Sequence, residues 1–328
     1  MTRFRIDTYD LLGLILVGAF VAWTVVSAAV QGANAVPQVA VLVATTSAYA
    51  IGRALGNRNP VAVAIVVALG ILIAAIASGP RAFAGDPSGA PLGYANANGA
   101  LYALGVAAAA IVATLAGRAW MRWVFGGLAV VLLGLTVVSA SRAATVLATG
   151  ILLAATTARR LGRRFALLAP LVVAASIALT FVVGLTHGSS ALPLLEQAFT
   201  ERRAVLWQDA LEITAREPIF GIGPGMFAET SATALADADA RWAHSAHLQI
   251  AAETGVLGAL LFGTLLLWVY GGLHRSLQDP QLVVIGVAGV TAFAVHAAID
   301  YVVHFPAVVI VVALLAGLAS SHVKPTTG

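Results

Sequence analysis

Residues 256–272 read VLGALLFGTLLLWVYGG, a run without one charged side chain. A helix needs about 20 mostly apolar residues to cross a hydrocarbon core about 30 Å thick, and similar runs recur throughout the chain. The 328 residues are 60% hydrophobic and 10% charged, with a mean hydropathy of +0.94. This composition excludes a water-soluble globular surface and indicates a multi-pass membrane protein.

The apolar runs predict an all-α, polytopic membrane helix bundle of about ten transmembrane helices in a single membrane domain, residues 1–328. Each run is continuous, without the short alternating pattern of strands in a membrane barrel. The predicted segments lie near residues 8–30, 36–52, 60–78, 95–116, 120–139, 143–158, 165–186, 247–271, 281–300 and 303–321.

The basic residues predict the orientation, because Lys and Arg beside membrane segments resist translocation. With the N-terminus inside, most basic residues are cytoplasmic and most acidic residues are outside, so both termini are expected in the cytoplasm. The net charge of +4 then follows membrane topology, and no nucleic-acid partner is expected. The arginines left outside are Arg81, Arg142, Arg202, Arg203, Arg216 and Arg241.

The N-terminus also allows a cleaved signal sequence, since ANA at residues 33–35 resembles a processing site. The apolar run from Leu11 to Val30 is longer than usual for such a leader, which favours a retained helix. Abundant Ala, Val, Gly and Arg indicate a GC-rich bacterial genome, and the bacterial cytoplasmic (inner) membrane is the expected location. The absence of cysteine excludes disulfides, thiol catalysis and thiolate metal sites.

One connection is long: residues 187–246, between the seventh and eighth predicted membrane segments, form an extracytoplasmic loop on this topology. A loop of that length in a compact protein indicates function. Its stretch LLEQAFTERRAVLWQDALEITAREP, residues 194–218, predicts a helix with Arg203 and Trp207 on one stripe. FGIGPGMF, residues 220–227, predicts a tight turn around Gly221, Gly223 and Gly225; a phosphate cradle is the weaker alternative, since no P-loop Lys is present.

Two arginines in this outer set stand out. Arg142, in SASRAA at residues 139–144, falls where the fifth segment turns directly into the sixth. A snorkelling anchor and an anion ligand at a helix N-terminus are both open readings of Arg142. Arg203, one turn before Trp207, is either a surface cation–π partner or a guanidinium that grips a phosphate. Two separated arginines could together neutralise a diphosphate.

Two histidines precede the apolar run at residues 256–272. His244 and His247 lie three residues apart, which predicts that they share one face of the membrane helix, while Gln249 and Glu253 form an i, i+4 pair on the other side. A neutral imidazole can accept a proton from a hydroxyl near neutral pH, and hydrogen bonding within the interface is the alternative. Without an HExxH pattern or a third ligand, neither a metal nor a cofactor is expected.

Further polar residues fall on the same predicted side. Asn96 and Asn98, in GYANANGALYAL at residues 93–104, could cap the fourth helix. His296, Asp300 and His304 are spaced by one turn each and predict a hydrogen-bonded cluster that holds helix ends together.

The order of these motifs resembles the O-antigen ligase and polymerase (Wzy-C) superfamily of integral membrane glycosyltransferases. The resemblance covers about residues 93–306 and rests on GYANANGALYAL, SASRAA, RAVLWQDALEITAREPIFGIGPGMF, AHSAHLQIAAETGVLG and IDYVVHFP. Two differences are a segment count of about ten where relatives commonly have about twelve, and Ser245 where the family has Asn. The resemblance implies a GT-C-like bundle that transfers glycans from polyprenyl diphosphate.

The resemblance also implies roles for residues. His244 matches the catalytic histidine, and Arg142 and Arg203 fall at the diphosphate. His247 lies outside the family's motif, and Glu253 matches a glutamate expected to be structural. The other residues expected to have structural or supporting roles are Gln249, Asp300, Gly221, Gly223 and Gly225. We expect further substrate contacts from Trp207, Asn96, Asn98, Arg81, Arg241 and His247.

The implied partners are a polyprenyl-diphosphate-linked glycan donor, a glycan, glycolipid or protein acceptor, and the lipid bilayer. The expected reaction is inverting and metal-independent. A polysaccharide polymerase, a lipid-linked glycan transporter and a non-catalytic binding protein are the alternatives. A transporter more often places its site near the membrane midplane, whereas the charged residues here gather at one side.

Overall fold

The computed structural model describes residues 8–79, 89–186, 201–237 and 240–321. Within these ranges the chain is all helical and contains no strand. The first seven helices are α1 (Thr8–Gln31), α2 (Val36–Gly56), α3 (Pro60–Ala77), α4 (Ala95–Leu115), α5 (Ala119–Val138), α6 (Arg142–Leu161) and α7 (Phe165–Thr186). They are followed by α8 (Glu201–Arg216), α9 (Phe227–Thr230), α10 (Ala232–Ala236), α11 (Ala246–His274), α12 (Pro280–Ile299), a 3-10 turn (Val302–His304) and α13 (Pro306–Ala319).

All ten predicted membrane segments are helices, but they are not equivalent. In the described part of the chain, eight helices are long and apolar enough to cross a membrane: α1, α2, α3, α4, α5, α7, α11 and α12. The sixth predicted segment is α6, whose ends carry Arg142 and the pair Arg159 and Arg160. The tenth is α13, whose 14 residues fall short of the thickness of a bilayer core. The protein is therefore a multi-pass helical membrane protein with fewer full-length apolar helices than the sequence predicted.

The described residues fall into two compact units, each collected from separate parts of the chain. One unit comprises Thr45–Leu171, Val269–His296 and Val302–Gly328, so far as these are described. Its centre is α4, which packs against α3, α5, α6 and α13 and is buried on nearly every side. Small residues make this possible: a Cβ on Gly99 would lie 2.6 Å from Cβ of Ala144. Close backbone approach of this kind is how helices associate where no hydrophobic force drives them together.

The other unit comprises Met1–Ala44, Val172–Trp268 and Ala297–Tyr301, so far as these are described. It contains α1, most of α7, α8, the glycine-rich turn and α11 as far as Trp268. Its core is an apolar cluster around Trp207, which is fully buried together with Leu206, Phe227 and Leu248. Helix α7 packs closely against this core at Gly184, because a Cβ at that position would lie 3.1 Å from Cβ of Trp207.

Helix α11 is broken at Gly255, where the sequence predicted one continuous membrane segment. The φ of Gly255 is +71° and its ψ is −179°, so the two parts of α11 meet at a kink. The backbone just before the glycine-rich turn packs directly against Gly255, since a Cβ on Gly255 would lie 1.9 Å from the carbonyl oxygen of Ile219. The amide of Val256 donates to the carbonyl of Pro218 at 2.9 Å, which fixes the end of the turn against the kink. Glycine is the residue for a left-handed conformation beside another backbone.

Candidate active site

Helix α8 places Arg203 and Trp207 one turn apart, as the sequence predicted for residues 201–216. The predicted start of this helix, residues 194–200, lies outside the described residues. Ala204, Trp207 and Ala210 form the buried face, while Arg203 keeps 23% of its side chain exposed. The guanidinium is therefore held beside the core with part of its surface open to a ligand.

The guanidinium of Arg203 forms a salt bridge with the carboxylate of Asp300. Nη2 of Arg203 donates to Oδ2 of Asp300 at 2.6 Å, and the backbone amide of Tyr301 donates to Oδ1 at 2.8 Å. Asp300 has no exposed side-chain surface. A buried carboxylate needs such partners, because an unpaired charge away from water is strongly unfavourable. The sequence placed Asp300 in a helix-end cluster with His296 and His304 and did not connect it to Arg203.

His244 contacts the same carboxylate. Its Nδ1 lies 3.5 Å from Oδ2 of Asp300, an electrostatic contact longer than a good hydrogen bond, and 15% of the side chain is exposed. The ring stands edge-on to Tyr301, with 4.6 Å between centroids and 89° between planes. Nε1 of Trp207 donates to the backbone carbonyl of His244 at 3.2 Å. Arg203, Asp300 and His244 thus form one polar group, bordered by two aromatic rings.

The backbone at His244 is unusual. Its φ is +52°, in the left-handed region that residues with a Cβ rarely adopt. Helix α11 begins only at Ala246, so His244 precedes the helix. The prediction that His244 and His247 share a helix face is therefore wrong. Strained conformations of this kind persist where the surroundings fix them, and they concentrate at functional sites.

His247 lies on α11 itself and is buried. Its ring packs against Phe262 with 5.2 Å between centroids and 63° between planes. Neither ring nitrogen of His247 has a hydrogen-bond partner among the described residues. His247 and His244 consequently occupy different surroundings, which the three-residue spacing did not reveal.

The glycine-rich turn is confirmed, with positive φ at Gly221, Gly223 and Gly225. Its backbone N–H groups are occupied by acceptors of the chain, which argues against the phosphate-cradle alternative. The donors and acceptors are Gly221 N to Glu217 O, Ile222 N to Ala252 O, Gly223 N to Glu253 O, Gly225 N to Glu253 Oε2, and Met226 N to Gly223 O. Side chains of α1 add to this anchoring, since the hydroxyl of Ser27 donates to the carbonyl of Phe220 at 2.6 Å.

Gln249 and Glu253 form the i, i+4 pair that the sequence predicted. Nε2 of Gln249 donates to Oε1 of Glu253 at 2.9 Å, and both side chains are buried. Oε1 of Gln249 accepts from the backbone amide of Ala243 at 3.1 Å. The pair therefore contacts the segment that carries His244 as well as the glycine-rich turn.

Arg142 lies in the unit built around α4 and is the first residue of α6. Ser141 caps this helix, since its hydroxyl accepts from the amide of Ala144 at 3.3 Å, and the Arg142 side chain is exposed. The hydroxyl of Ser141 also donates to Oδ1 of Asn96 at 2.7 Å. The sequence correctly placed Arg142 at a helix N-terminus close to the end of α5.

Asn96 and Asn98 do not cap α4 as the sequence allowed. The N-cap residue of α4 is Tyr94, without a capping side chain. Asn98 is buried, accepts from the amide of Leu92 at 2.8 Å and donates to the carbonyl of Gly89 at 2.7 Å. Its amide therefore closes the turn that leads into α4, while Asn96 contacts Ser141.

Arg241 and Arg81 were also predicted to contact the substrate. Arg241 is exposed, one residue before Trp242, whose ring lies 6.2 Å from that of Tyr301. Arg81 lies outside the described residues. Sequence reasoning missed the pairing of Asp300 with Arg203 and the packing of Tyr301 on His244. Their only signal was the motif IDYVVHFP, which contains both residues without indicating their partners.

These helices and this buried charge pair define a multi-pass membrane protein with a polar site next to its apolar core. Residues 127–263 match the family model described as O-Antigen ligase. The matched range contains Arg142, Arg203 and His244. No curated protein matches the chain. Over this range the chain is similar to the O-antigen ligase family, which agrees with the resemblance seen in its motifs.

Proposed function

We propose that the protein transfers a glycan from a polyprenyl-diphosphate carrier to an acceptor hydroxyl at the outer face of the bacterial cytoplasmic membrane. The observation that carries the proposal is the shared carboxylate, since Arg203 and His244 both contact Oδ2 of Asp300. A cation for a leaving diphosphate and a base for a hydroxyl thus occur in one site. The family match over the range that contains Arg203 and His244 adds support.

In the proposed step, the acceptor oxygen bonds to the anomeric carbon as the bond from that carbon to the diphosphate breaks, with inversion. The hydroxyl proton passes to His244. Because Nδ1 faces Asp300, Nε2 is the nitrogen that receives the proton, and the carboxylate stabilises the imidazolium that forms. The diphosphate departs with its charge, so the scheme needs no cofactor.

Negative charge grows on the diphosphate, and Arg203 is the cation proposed to meet it. Its guanidinium is already positioned by Asp300, so little reorganisation is needed when the donor binds. Arg142, exposed at the N-terminus of α6, stays a prediction of the motif resemblance for the role of second cation. A metal ion would supply the same kind of charge stabilisation, and two arginines make it unnecessary.

Some of the other residues predicted to contact the substrate are exposed, and others are buried. Arg241 is exposed and is proposed to contact the glycan; Arg81 stays a prediction for the same role. Asn98 and His247 are buried, and we assign them to packing and shape. Trp207 and Asn96 act through the residues they hold, His244 and Ser141. The acceptor is proposed to be a glycan, a glycolipid or a protein, and both termini are proposed to be cytoplasmic.

The test replaces the three reacting side chains one at a time with alanine: His244, Arg203 and Arg142. Transfer of the host's own lipid-linked glycan is measured with purified protein in lipid nanodiscs. Each variant should lose transfer by a factor of about 100 or more. Arg216→Ala, exposed on the same helix as Arg203, and His274→Ala, at the far end of α11, are matched controls that should transfer normally. Wild-type rates in His244→Ala and Arg203→Ala, both inserted in the membrane, would refute the assignment.

The same family covers polymerases, which join repeat units to one another. Deletion of the protein in its host separates the two reactions. Loss of a ligase should accumulate long lipid-linked glycan, whereas loss of a polymerase should leave single lipid-linked units. Chromatography of extracted lipid-linked intermediates measures this difference directly, and single units would overturn the ligase form of the proposal.

A further inference from the structure

The strained residue His244 is held from both sides. On its C-terminal side, the carbonyl of His244 accepts from Nε1 of Trp207 at 3.2 Å. On its N-terminal side, the amide of Ala243 donates to Oε1 of Gln249 at 3.1 Å. Ala243 and Ser245 are both fully buried, so the segment cannot exchange these bonds for water. The φ of +52° at His244 therefore depends on a small number of identifiable partners.

The N-terminal restraint extends further. Nε2 of Gln249 donates to Oε1 of Glu253 at 2.9 Å, and Oε2 of Glu253 accepts from the amide of Gly225 at 2.9 Å. Two backbone amides, Ala243 and Gly225, are thereby joined through two buried side chains. The glycine-rich turn, which is itself fixed to α11 by backbone bonds, is the rigid end of this connection.

Both ends of the connection are hydrogen-bond donors, and this restricts the two side chains between them. One side chain must present oxygen to Ala243 and the other must present oxygen to Gly225. An amide has one accepting and one donating end, whereas an ionised carboxylate only accepts. Two amides would leave one pair of donors facing each other, and two carboxylates would leave one pair of acceptors facing each other. One amide and one carboxylate satisfy every contact, in either order.

We propose that Gln249 and Glu253 are positioning residues that fix the backbone of His244 for proton transfer from the acceptor. The sequence predicted only a structural role for them; their hydrogen bonds connect them to Ala243 and Gly225. The inference rests on the proposed function, because it names how the base of that reaction is held. Neither side chain touches a reacting atom, so both act through His244.

The test uses single exchanges that keep the size of the side chain. Gln249→Glu places two carboxylates together, and Glu253→Gln places two amides together. Each should lower the turnover of glycan transfer by a factor of about 10 or more, with donor binding unchanged because Arg203 keeps its partner. Binding is measured separately, with lipid-linked glycan extracted from host membranes. The matched control is Gln208→Glu on α8, since Nε2 of Gln208 makes the same i, i+4 bond to Oε1 of Glu212 at 2.9 Å on an exposed face. The control should transfer normally.

The decisive variant is the double exchange Gln249→Glu/Glu253→Gln. It reverses the order of amide and carboxylate and restores all three hydrogen bonds. Turnover should return to within a factor of about 3 of wild type, although two buried residues have changed. If the double exchange is as impaired as the single exchanges, or if the single exchanges turn over normally, the positioning role is wrong.

A second measurement does not need glycan transfer. Diethyl pyrocarbonate modifies accessible imidazole rings, and mass spectrometry of the peptide around residue 244 gives the rate at His244. Release of the backbone should free the ring from Asp300 and Tyr301 and raise that rate several-fold in both single exchanges, with recovery in the double exchange. If wild-type protein transfers no glycan but the labelling follows this pattern, the proposed function fails and the positioning role stands. Unchanged labelling together with normal transfer in the single exchanges overturns the inference alone.

Discussion

Arg203 and Asp300 are joined by a contact of 2.6 Å between Nη2 and Oδ2, although the two residues are 97 positions apart. Their exposure is unequal: the carboxylate is completely enclosed, and the guanidinium keeps 23% of its side-chain surface exposed. Loss of Arg203 should therefore destabilise the protein more than loss of the Asp300 charge. Water can solvate the partly exposed guanidinium when its partner is removed, but it cannot reach the enclosed carboxylate.

This asymmetry predicts unequal effects of removing either partner. Arg203→Ala leaves a buried charge and should lower the free energy of unfolding by about 3 kcal/mol, whereas Asp300→Asn should lower it by about 1 kcal/mol. Thermal unfolding in one detergent compares the two variants. The double variant should be more stable than Arg203→Ala, since it no longer buries a carboxylate that has lost its guanidinium partner. Strictly additive losses would show that the pair is not coupled.

The bond from Trp207 to His244 predicts a loss of function without a special loss of stability. Trp207→Phe keeps the buried ring and removes the N–H that donates to the carbonyl of His244. The matched control is Trp268→Phe, which removes a similar N–H bond, at 2.9 Å, to the carbonyl of Tyr9. Both variants should lose about 1 kcal/mol of stability, but only Trp207→Phe should turn over more slowly. Equal turnover in the two variants would remove Trp207 from the support of His244.

The kink in α11 predicts opposite effects of the same substitution at two glycines. Gly255→Ala adds a Cβ 1.9 Å from the carbonyl oxygen of Ile219 at a positive φ and should destabilise the protein by about 3 kcal/mol or more. Gly263→Ala, later in the same helix, meets no atom within 4 Å and should be neutral or stabilising by up to about 1 kcal/mol. The midpoints of thermal unfolding test the pair, and similar midpoints would mean that the kink is dispensable.

The proposed mechanism predicts that chelators do not inhibit the enzyme. In this mechanism the guanidinium groups of Arg142 and Arg203 supply the positive charge that a metal ion could otherwise provide. Glycan transfer by protein prepared in EDTA should equal that in magnesium-containing buffer. Inhibition by EDTA that added divalent metal reverses would require a metal ion at the diphosphate and would remove this part of the mechanism.

Much of the fold was predictable because membrane helices are long and their composition is simple. The end of α8 followed from Pro218, and the turn at residues 220–227 followed from its glycines. The pairing of Gln249 with Glu253 was also predictable, since the two residues are neighbours on one helix. These features are local, and local features are what a single sequence specifies best.

The site was less predictable because its key contacts are not local. The partner of Arg203 lies on a segment nearly a hundred residues later, and helical spacing carries no information about it. His244 was wrongly placed on α11 for a different reason: the N-cap signal was overlooked. Ser245 is a favoured N-cap residue, and its hydroxyl lies 3.5 Å from the amide of Leu248. Attention to that serine could have placed His244 before the helix and separated it from His247.

The glycine-rich turn limits how the proposed lipid-linked donor could be changed. Because the N–H groups of the turn already bind Glu253 and neighbouring carbonyls, substitutions there would alter the geometry around residue 244 instead of the recognition of a new anionic lipid. Libraries that aim at a different donor range should therefore vary the exposed surfaces around Arg142 and Arg241 and leave residues 221–225 unchanged.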